Sequence, residues 1–312
     1  MRGAILITGA TGFVGRALLD ALSGTDQPVI ALVRGVKTDL PPFVIQRIAG
    51  SIEDLDQDAW LTVLEGVDCV IHLAAIAHIG PDVPEDRYDA VNHRAVAAMA
   101  EAARLAGVRR IVFLSSIRAQ CGVSTPEILT EATAAAPTDA YGRAKHKAEL
   151  ALARSGVEHV ILRPVLIVGP GAKGNLDLLM RLADSALPLP VAGLKAERAM
   201  VSLADVVAAI LRAADDPAMA GGTFILADEH PLGFGAVVAA LRRGLGRPER
   251  LFSIPSGLLA LPFRLAGRQD LWARIAGPLV VRPEALAHLG WRGVMPARQA
   301  LESLGRSHRR EP

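Results

Sequence analysis

Cysteine, aromatic residues and excess charge are all scarce in this chain, and each shortage removes a class of protein. Two cysteines in 312 residues, Cys69 and Cys121, cannot build a disulfide framework or a four-ligand zinc site. Aromatics make up only 4%, so Ala, Val and Leu must fill the interior of a chain that is 51% hydrophobic. That apolar content excludes a disordered protein. Lys and Arg number 34 against 32 Asp and Glu, a net charge of +2. So even a balance gives no reason to expect nucleic acid or another polyanion as partner. The one locally basic run, residues 306–310, reads as a solvated terminus.

Long apolar runs are missing too. No stretch approaches the ~20 residues that a membrane-spanning helix needs. Residues 251–267 come nearest, and Pro255, Pro262 and Arg264 interrupt them. Packing within a domain is the simpler reading of that segment; lying on a membrane surface is the other. Met1 leads directly into a strand pattern, which leaves no room for a signal peptide and predicts a cytoplasmic protein.

What is present is a regular alternation. Apolar strand patterns at 5–8, 28–33, 44–48, 69–74, 110–114 and 159–163 are separated by helical ones, including 92–106 and 141–155. Continuously apolar strands alternating with helices predict an α/β fold, a Rossmann-like doubly wound parallel sheet covered on both faces. The predicted nucleotide-binding domain is 1–165, with a helix at 201–214, begun by Ser202 or Asp205, and a strand at 223–227 returning to it. Residues 166–200 and 228–312, punctuated by proline, predict a smaller substrate-binding lobe.

The first strand breaks into Thr8-Gly9-Ala10-Thr11-Gly12-Phe13-Val14-Gly15. Gly9 permits a tight turn, Gly12 lets the main chain approach a pyrophosphate, and Gly15 lets the helix pack close to the strand. The helix that follows offers unpaired N–H groups and its positive dipole end to the anion. This is a dinucleotide-binding pattern.

Ser115-Ser116 ends the strand at 110–114, on the ligand edge of such a sheet. Tyr141-Gly-Arg-Ala-Lys145 sets a phenol and an ammonium on one helix face. These groups suit hydride transfer coupled to proton transfer. A free phenol has a pKa of about 10, and a Lys145 cation is expected to favour its ionised form. Ser116 is expected to hold the substrate oxygen near the Tyr141 hydroxyl. The second strand ends at Arg34, and no acid follows until Asp39. Where NAD sites place a carboxylate, a guanidinium suits a 2′-phosphate, so NADP is the expected cofactor and NAD the alternative.

With Leu73-Ala74-Ala75 after His72, with Asn92, and with Leu162-Arg163-Pro164, these motifs resemble the extended short-chain dehydrogenases/reductases. That branch contains nucleotide-sugar epimerases, dehydratases and reductases. The resemblance implies a catalytic trio of Ser116, Tyr141 and Lys145, with Ser115 as the alternative serine and a contact to substrate. It implies a cofactor lined by Gly9, Thr11, Gly12, Phe13, Val14, Gly15, Leu73, Ala74 and Ala75, with Asn92 supporting the active-site helix. Lys145 and Tyr141 would also touch the cofactor. Lys173, Asn175 and Arg198 would meet the diphosphate or nucleoside of the substrate, although Lys173 fits a solvated loop charge equally well. His72, ending a buried strand, reads as structural. Two positions depart from the pattern: Ile117 stands where relatives carry a small polar residue, and Ser51 where they often carry an acid.

The activity implied is NADPH-dependent reduction of the 4-keto group of a UDP-4-keto-6-deoxy-N-acetylhexosamine. Its alternatives are an NAD-dependent UDP-hexose 4-epimerase and a non-catalytic NADP-binding sensor or scaffold. The resemblance also implies a homodimer built through the helices at 92–106 and 141–155.

Overall fold

The computed structural model describes residues 3–77, 83–172 and 175–310. They form two compact units. The first comprises Met1–Cys121, Ala134–Pro164 and Val206–Phe224, and the second Gly122–Thr133, Val165–Asp205 and Ile225–Pro312.

A seven-stranded sheet dominates the first unit. Its strands are β1 (Ala4–Thr8), β2 (Val29–Val33), β3 (Val44–Ile48), β4 (Val67–His72), β5 (Arg110–Leu114), β6 (Glu158–Pro164) and β7 (Thr223–Leu226). Their order is β7-β6-β5-β4-β1-β2-β3. The ladders joining β1 to β2 and β4, β2 to β3, and β5 to β4 and β6 are all parallel. Every residue of β2 is buried, and β1 is buried over Ile5–Thr8, as expected of strands covered on both faces. The chain winds outward from β1 through β2 to β3, then returns to the other side of β1 as β4. This reversal makes β1 and β4 the switch point, and ligands in open α/β sheets bind beyond the carboxyl ends of such strands.

The helices that cover this sheet include α1 (Phe13–Leu22), α2 (Gln57–Val63), α3 (Ala95–Leu105), α4 (Ala140–Arg154) and α5 (Leu203–Asp215). Trp60, Val70, Met99, Phe113 and Leu152 meet in one core cluster. Small residues on α3 (Ala100, Ala102 and Ala103 are fully buried) compensate for the shortage of aromatics by letting helix and sheet backbones approach. The helical pattern at 92–106 begins as a π turn, Ala90–Arg94, before becoming regular. Ser202 caps α5 by accepting the Asp205 amide at 2.9 Å. The Asp205 carboxylate accepts instead from the Val294 and Met295 amides.

In the second unit α6 (Phe234–Leu245) lies against α8 (Ala297–Arg310), with α7 (Ser256–Leu265) between them in sequence. Gly244 and Gly305 allow the contact: a Cβ on Gly244 would stand 2.2 Å from the Glu302 carbonyl, and one on Gly305 2.6 Å from that of Leu241. Arg242, 1% exposed, donates to the carbonyls of Ala183, Ser185, Leu187 and Glu249, tying α6 to residues 183–187 before it and to the turn after it. Residues Gly122–Thr133 join this unit because Ile128–Leu129 pairs in parallel with Val280–Val281. The 251–267 segment does not bury its apolar side: of α7, only Ala260 is fully buried. The simpler expectation of packing within a domain is thus met by a minority of its residues.

Candidate active site

The glycine turn sits where β1 ends. Gly9 has φ +72°, a left-handed conformation, and a Cβ there would lie 2.8 Å from the Ala74 amide. A Cβ on Gly15 would lie 2.3 Å from the Gly9 carbonyl, so helix and turn touch only because Gly15 lacks a side chain. Gly12 is the N-cap of α1, and no side chain caps that helix. Its first-turn amides are therefore left for an anion, as a dinucleotide pyrophosphate requires. The residues present fit such a cofactor.

The loop after β4 is held on two sides. Thr8 hydrogen-bonds His72 Nδ1 at 3.0 Å and accepts the Ala74 amide at 3.3 Å. The Asn92 side chain, fully buried in the π turn, accepts the Ile76 amide at 2.8 Å and donates to its carbonyl at 2.9 Å. Asn92 thus fixes the loop carrying Leu73, Ala74 and Ala75, the stretch expected to line the cofactor. His72 Nε2 is buried without a partner, and burial pushes the imidazole down to about 3, so the ring is neutral at physiological pH.

At the end of β5 the two serines diverge. Ser115 is 4% exposed and its hydroxyl donates to Glu149 at 2.5 Å. Ser116 is only partly buried; its hydroxyl accepts the Arg118 amide at 3.2 Å and lies near enough to the Tyr141 phenol to favour its ionised form. Tyr141 stands in the first turn of α4, whose N-cap Asp139 accepts the Gly142 amide at 2.9 Å and also pairs with Arg118. Gly142 lets this turn press on the Ile117–Ala119 turn, since a Cβ there would lie 2.2 Å from the Arg118 carbonyl. The Tyr88 ring lies edge-on to that of Tyr141, with centroids 6.4 Å apart.

Lys145, one turn further along α4, is 1% exposed. Its ammonium donates to the Leu114 carbonyl at 2.9 Å and lies 4.5 Å from the Phe113 ring centroid. Burial pulls its pKa down to about 7, and the charge of Glu149 opposes that pull. Glu149 is itself 4% exposed and gripped by Arg163 through bonds of 3.0 and 2.6 Å. The His146 ring stands 3.6 Å away.

One expectation needs correction. Lys145 was expected to lower the Tyr141 pKa, yet burial pushes this phenol up to about 12; the Ser116 hydrogen bond and the Arg118 charge act against the rise. The phenol is therefore protonated at neutral pH, the state of a proton donor.

The structure brings Ser116, Tyr141 and Lys145 to the same sheet edge as the glycine turn and the Leu73–Ala75 loop. Arg34 is exposed directly after β2, and among the described residues its guanidinium has no ion-pair partner. Arg16, in the first turns of α1, pairs with Asp39 and donates to the Thr11 carbonyl at 3.1 Å. Arg198 lies in the second unit, where it donates to the carbonyls of Gly277 at 2.6 Å and Val123 at 3.0 Å. Lys173 and the side chain of Asn175 fall outside the described residues. Sequence reasoning missed Glu149, Arg118 and Asp139. The Lys145-x-x-x-Glu149 spacing, which puts a carboxylate one turn from the amine, was the available signal for the first.

The profile of the NAD dependent epimerase/dehydratase family matches residues 5–227. The chain is 32% identical to a UDP-glucose 4-epimerase of Vibrio cholerae over 314 residues, covering 94% of this chain and 91% of that one. It is 27% identical to a ceramide reductase of Caulobacter vibrioides, covering 93% and 86%. The Bordetella bronchiseptica enzyme WbmG, solved with NAD and UDP, superposes with a TM-score of 0.77 at 20% identity, covering 97% and 93%, a likeness of fold. From its glycine turn to β7, and in its likeness to relatives along nearly its whole length, this chain belongs to the NAD dependent epimerase/dehydratase family, as an NAD(P)-dependent oxidoreductase or epimerase.

Proposed function

We propose that the chain carries out reversible hydride and proton transfer at C4 of a nucleotide-linked hexose, with 4-epimerisation as its net reaction. One observation carries the chemistry: a buried phenol stands one helical turn from a buried amine that is bonded to the strand end carrying Ser116, at the edge that holds the glycine turn. The 32% identity to the Vibrio cholerae epimerase over nearly the full length of both chains favours epimerisation over the net reduction expected from sequence.

The division of labour follows from the side chains. Ser116, the more accessible serine, hydrogen-bonds the C4 oxygen and holds it against Tyr141. Tyr141 exchanges a proton with that oxygen: as a phenolate, the form that the positive charge of a bound nicotinamide would favour, it takes the proton when the alcohol becomes a ketone, and as a phenol it returns it when the ketone is reduced. Lys145 sets its amine behind the strand end and, through Leu114, fixes the backbone that presents Ser116. A bound nicotinamide supplies the acceptor and donor of hydride. Ser115 is occupied by Glu149 and serves to anchor β5 to α4.

Net reduction with NADPH remains a second reading, favoured by the exposed Arg34 at the end of β2. Purified protein given UDP-glucose or UDP-galactose is expected to interconvert them with no net change in reduced-nicotinamide absorbance. A reductase would instead consume one NADPH per turnover of a UDP-4-keto sugar. Failure of both assays across a panel of UDP- and dTDP-sugars would overturn the catalytic reading.

A further inference from the structure

The helix α7 exposes what helices normally bury. Its sequence, Ser256-Gly-Leu-Leu-Ala-Leu-Pro-Phe-Arg-Leu265, holds a single charge. Leu258, Leu261 and Leu265 recur at i, i+3 and i+7, so they share one face, and they are 61%, 50% and 80% exposed. The opposite side supplies the packing: Leu259 joins the core of the second unit, and Phe263 meets Trp272 with centroids 5.4 Å apart. A contiguous run of exposed leucines marks an interaction surface rather than ordinary scatter.

Charge identifies the occupant. Between residues 247 and 274 the chain carries five arginines against two acids, Glu249 and Asp270. Arg247 is paired with Asp184 and Glu249 with Arg243. Arg250, Arg264, Arg268 and Arg274 are exposed, and among the described residues none of them makes an ion pair. Arg264 adjoins Leu265 within the helix and Arg268 follows just beyond its end. An apolar stripe flanked by exposed arginines is the composition of a helix that lies in a membrane interface, its leucines among acyl chains and its guanidinium groups at lipid phosphates. A symmetric contact with a second copy would bring each set of arginines toward its counterpart, which like-charge repulsion opposes.

We propose that α7 docks the protein peripherally on an anionic lipid surface, with Leu258, Leu261 and Leu265 inserted and Arg264 and Arg268 on headgroup phosphates. The proposal is independent of the catalytic reading, because it uses no residue of the candidate active site.

Flotation of the full-length protein with vesicles tests it. Binding is expected to vesicles of phosphatidylcholine containing a third phosphatidylglycerol, weaker binding to phosphatidylcholine alone, and loss of the difference at high salt. The triple variant L258S/L261S/L265S, whose changes are all exposed, is expected to bind about tenfold more weakly or worse, with unchanged thermal unfolding. Arg264→Gln and Arg268→Gln should each weaken binding to the anionic vesicles about fivefold. No flotation with either vesicle, or flotation that the leucine variant leaves intact, would overturn the proposal. So would a wild-type dimer in gel filtration that the triple variant converts to monomer while vesicle binding is absent, since α7 would then be a contact between copies.

Discussion

Lys145 and Arg163 in the first unit are basic side chains like Arg264 and Arg268 in the second, and the structure treats the two pairs in opposite ways. Lys145 and Arg163 are 1% and 9% exposed, and each has partners within 3.0 Å: the Leu114 carbonyl for one, the Glu149 carboxylate for the other. Removing such groups from water costs several kcal/mol per ion, so they are tolerated only when fully engaged. Arg264 and Arg268 stay hydrated beside leucines that are themselves uncovered. Buried cations here set the geometry and charge of one small site; exposed ones remain available to something outside the chain. The contrast can be broken by substitution on either side.

The largest effect belongs to the engaged side. Tyr141→Phe removes the exchangeable proton and nothing else of size, so turnover is expected to fall about a hundred- to ten-thousandfold, with cofactor binding by thermal shift retained. Ser116→Ala should show a smaller loss of the same kind, while Ser115→Ala should alter stability more than turnover, because its hydroxyl belongs to Glu149. A Tyr141→Phe protein with full activity would restore the non-catalytic sensor.

Glu149→Gln tests whether the buried pair is as interdependent as it looks. It leaves the buried Arg163 guanidinium without its carboxylate, and a loss of about 3–5 kcal/mol in urea unfolding is expected. Replacing both partners, as in Glu149→Leu with Arg163→Met, should recover most of that loss, since neither charge then remains to be solvated. A double variant no better than the single one would show that the pair acts through packing rather than charge.

Acid and alkali probe the same corner without mutation. His72 has its pKa pushed from 6.5 to about 3, so between those values the unfolded chain binds a proton that the folded chain refuses. Stability is therefore full above about pH 6.5 and declines as pH falls toward 3. Lys145, lowered from 10.5 to about 7, works over a higher window: the unfolded amine is protonated where the folded one is not, and stability rises with pH from 7 toward 10.5. Cys69 and Tyr141, each raised to about 12, act against that rise above pH 9 and 10 respectively, because the unfolded groups ionise first. Unfolding midpoints at pH 4, 7 and 9 should thus increase in that order. His72→Gln is expected to flatten the acid side by an amount on the order of a few kcal/mol.

How far the sequence could be read divides along the same line. The sheet, the glycine turn and the Ser116, Tyr141, Lys145 set were legible because each follows from a local rule: apolar strands, a turn that tolerates no Cβ, a four-residue helical spacing. Partners brought together by folding were not legible. Nothing local says that Ser115 will meet Glu149 from 34 residues away, or that Asn92 will clamp the Ile76 backbone. Nor could local rules show that Lys145 would bond the Leu114 carbonyl and leave the phenol pKa to burial. The α7 segment failed for a related reason: hydropathy reports that its leucines avoid water, and says nothing of whether protein or lipid will cover them.

Arg34 is the case that crosses the comparison, an exposed arginine without an ion-pair partner among the described residues, yet placed in the first unit beside the glycine turn. If it is available in the same sense as Arg264 and Arg268, its partner is a 2′-phosphate, and Arg34→Ala should weaken NADP binding about tenfold while leaving NAD unchanged. That is the ~1.4 kcal/mol expected of one charge-assisted contact at a solvated site. Isothermal titration with each cofactor reads both affinities on the same protein. Equal loss for NADP and NAD would mean that the guanidinium packs on the adenine portion common to both. No loss for either would assign Arg34 to solvent, and would remove the observation on which the NADPH-consuming reading rests while leaving epimerisation with NAD intact.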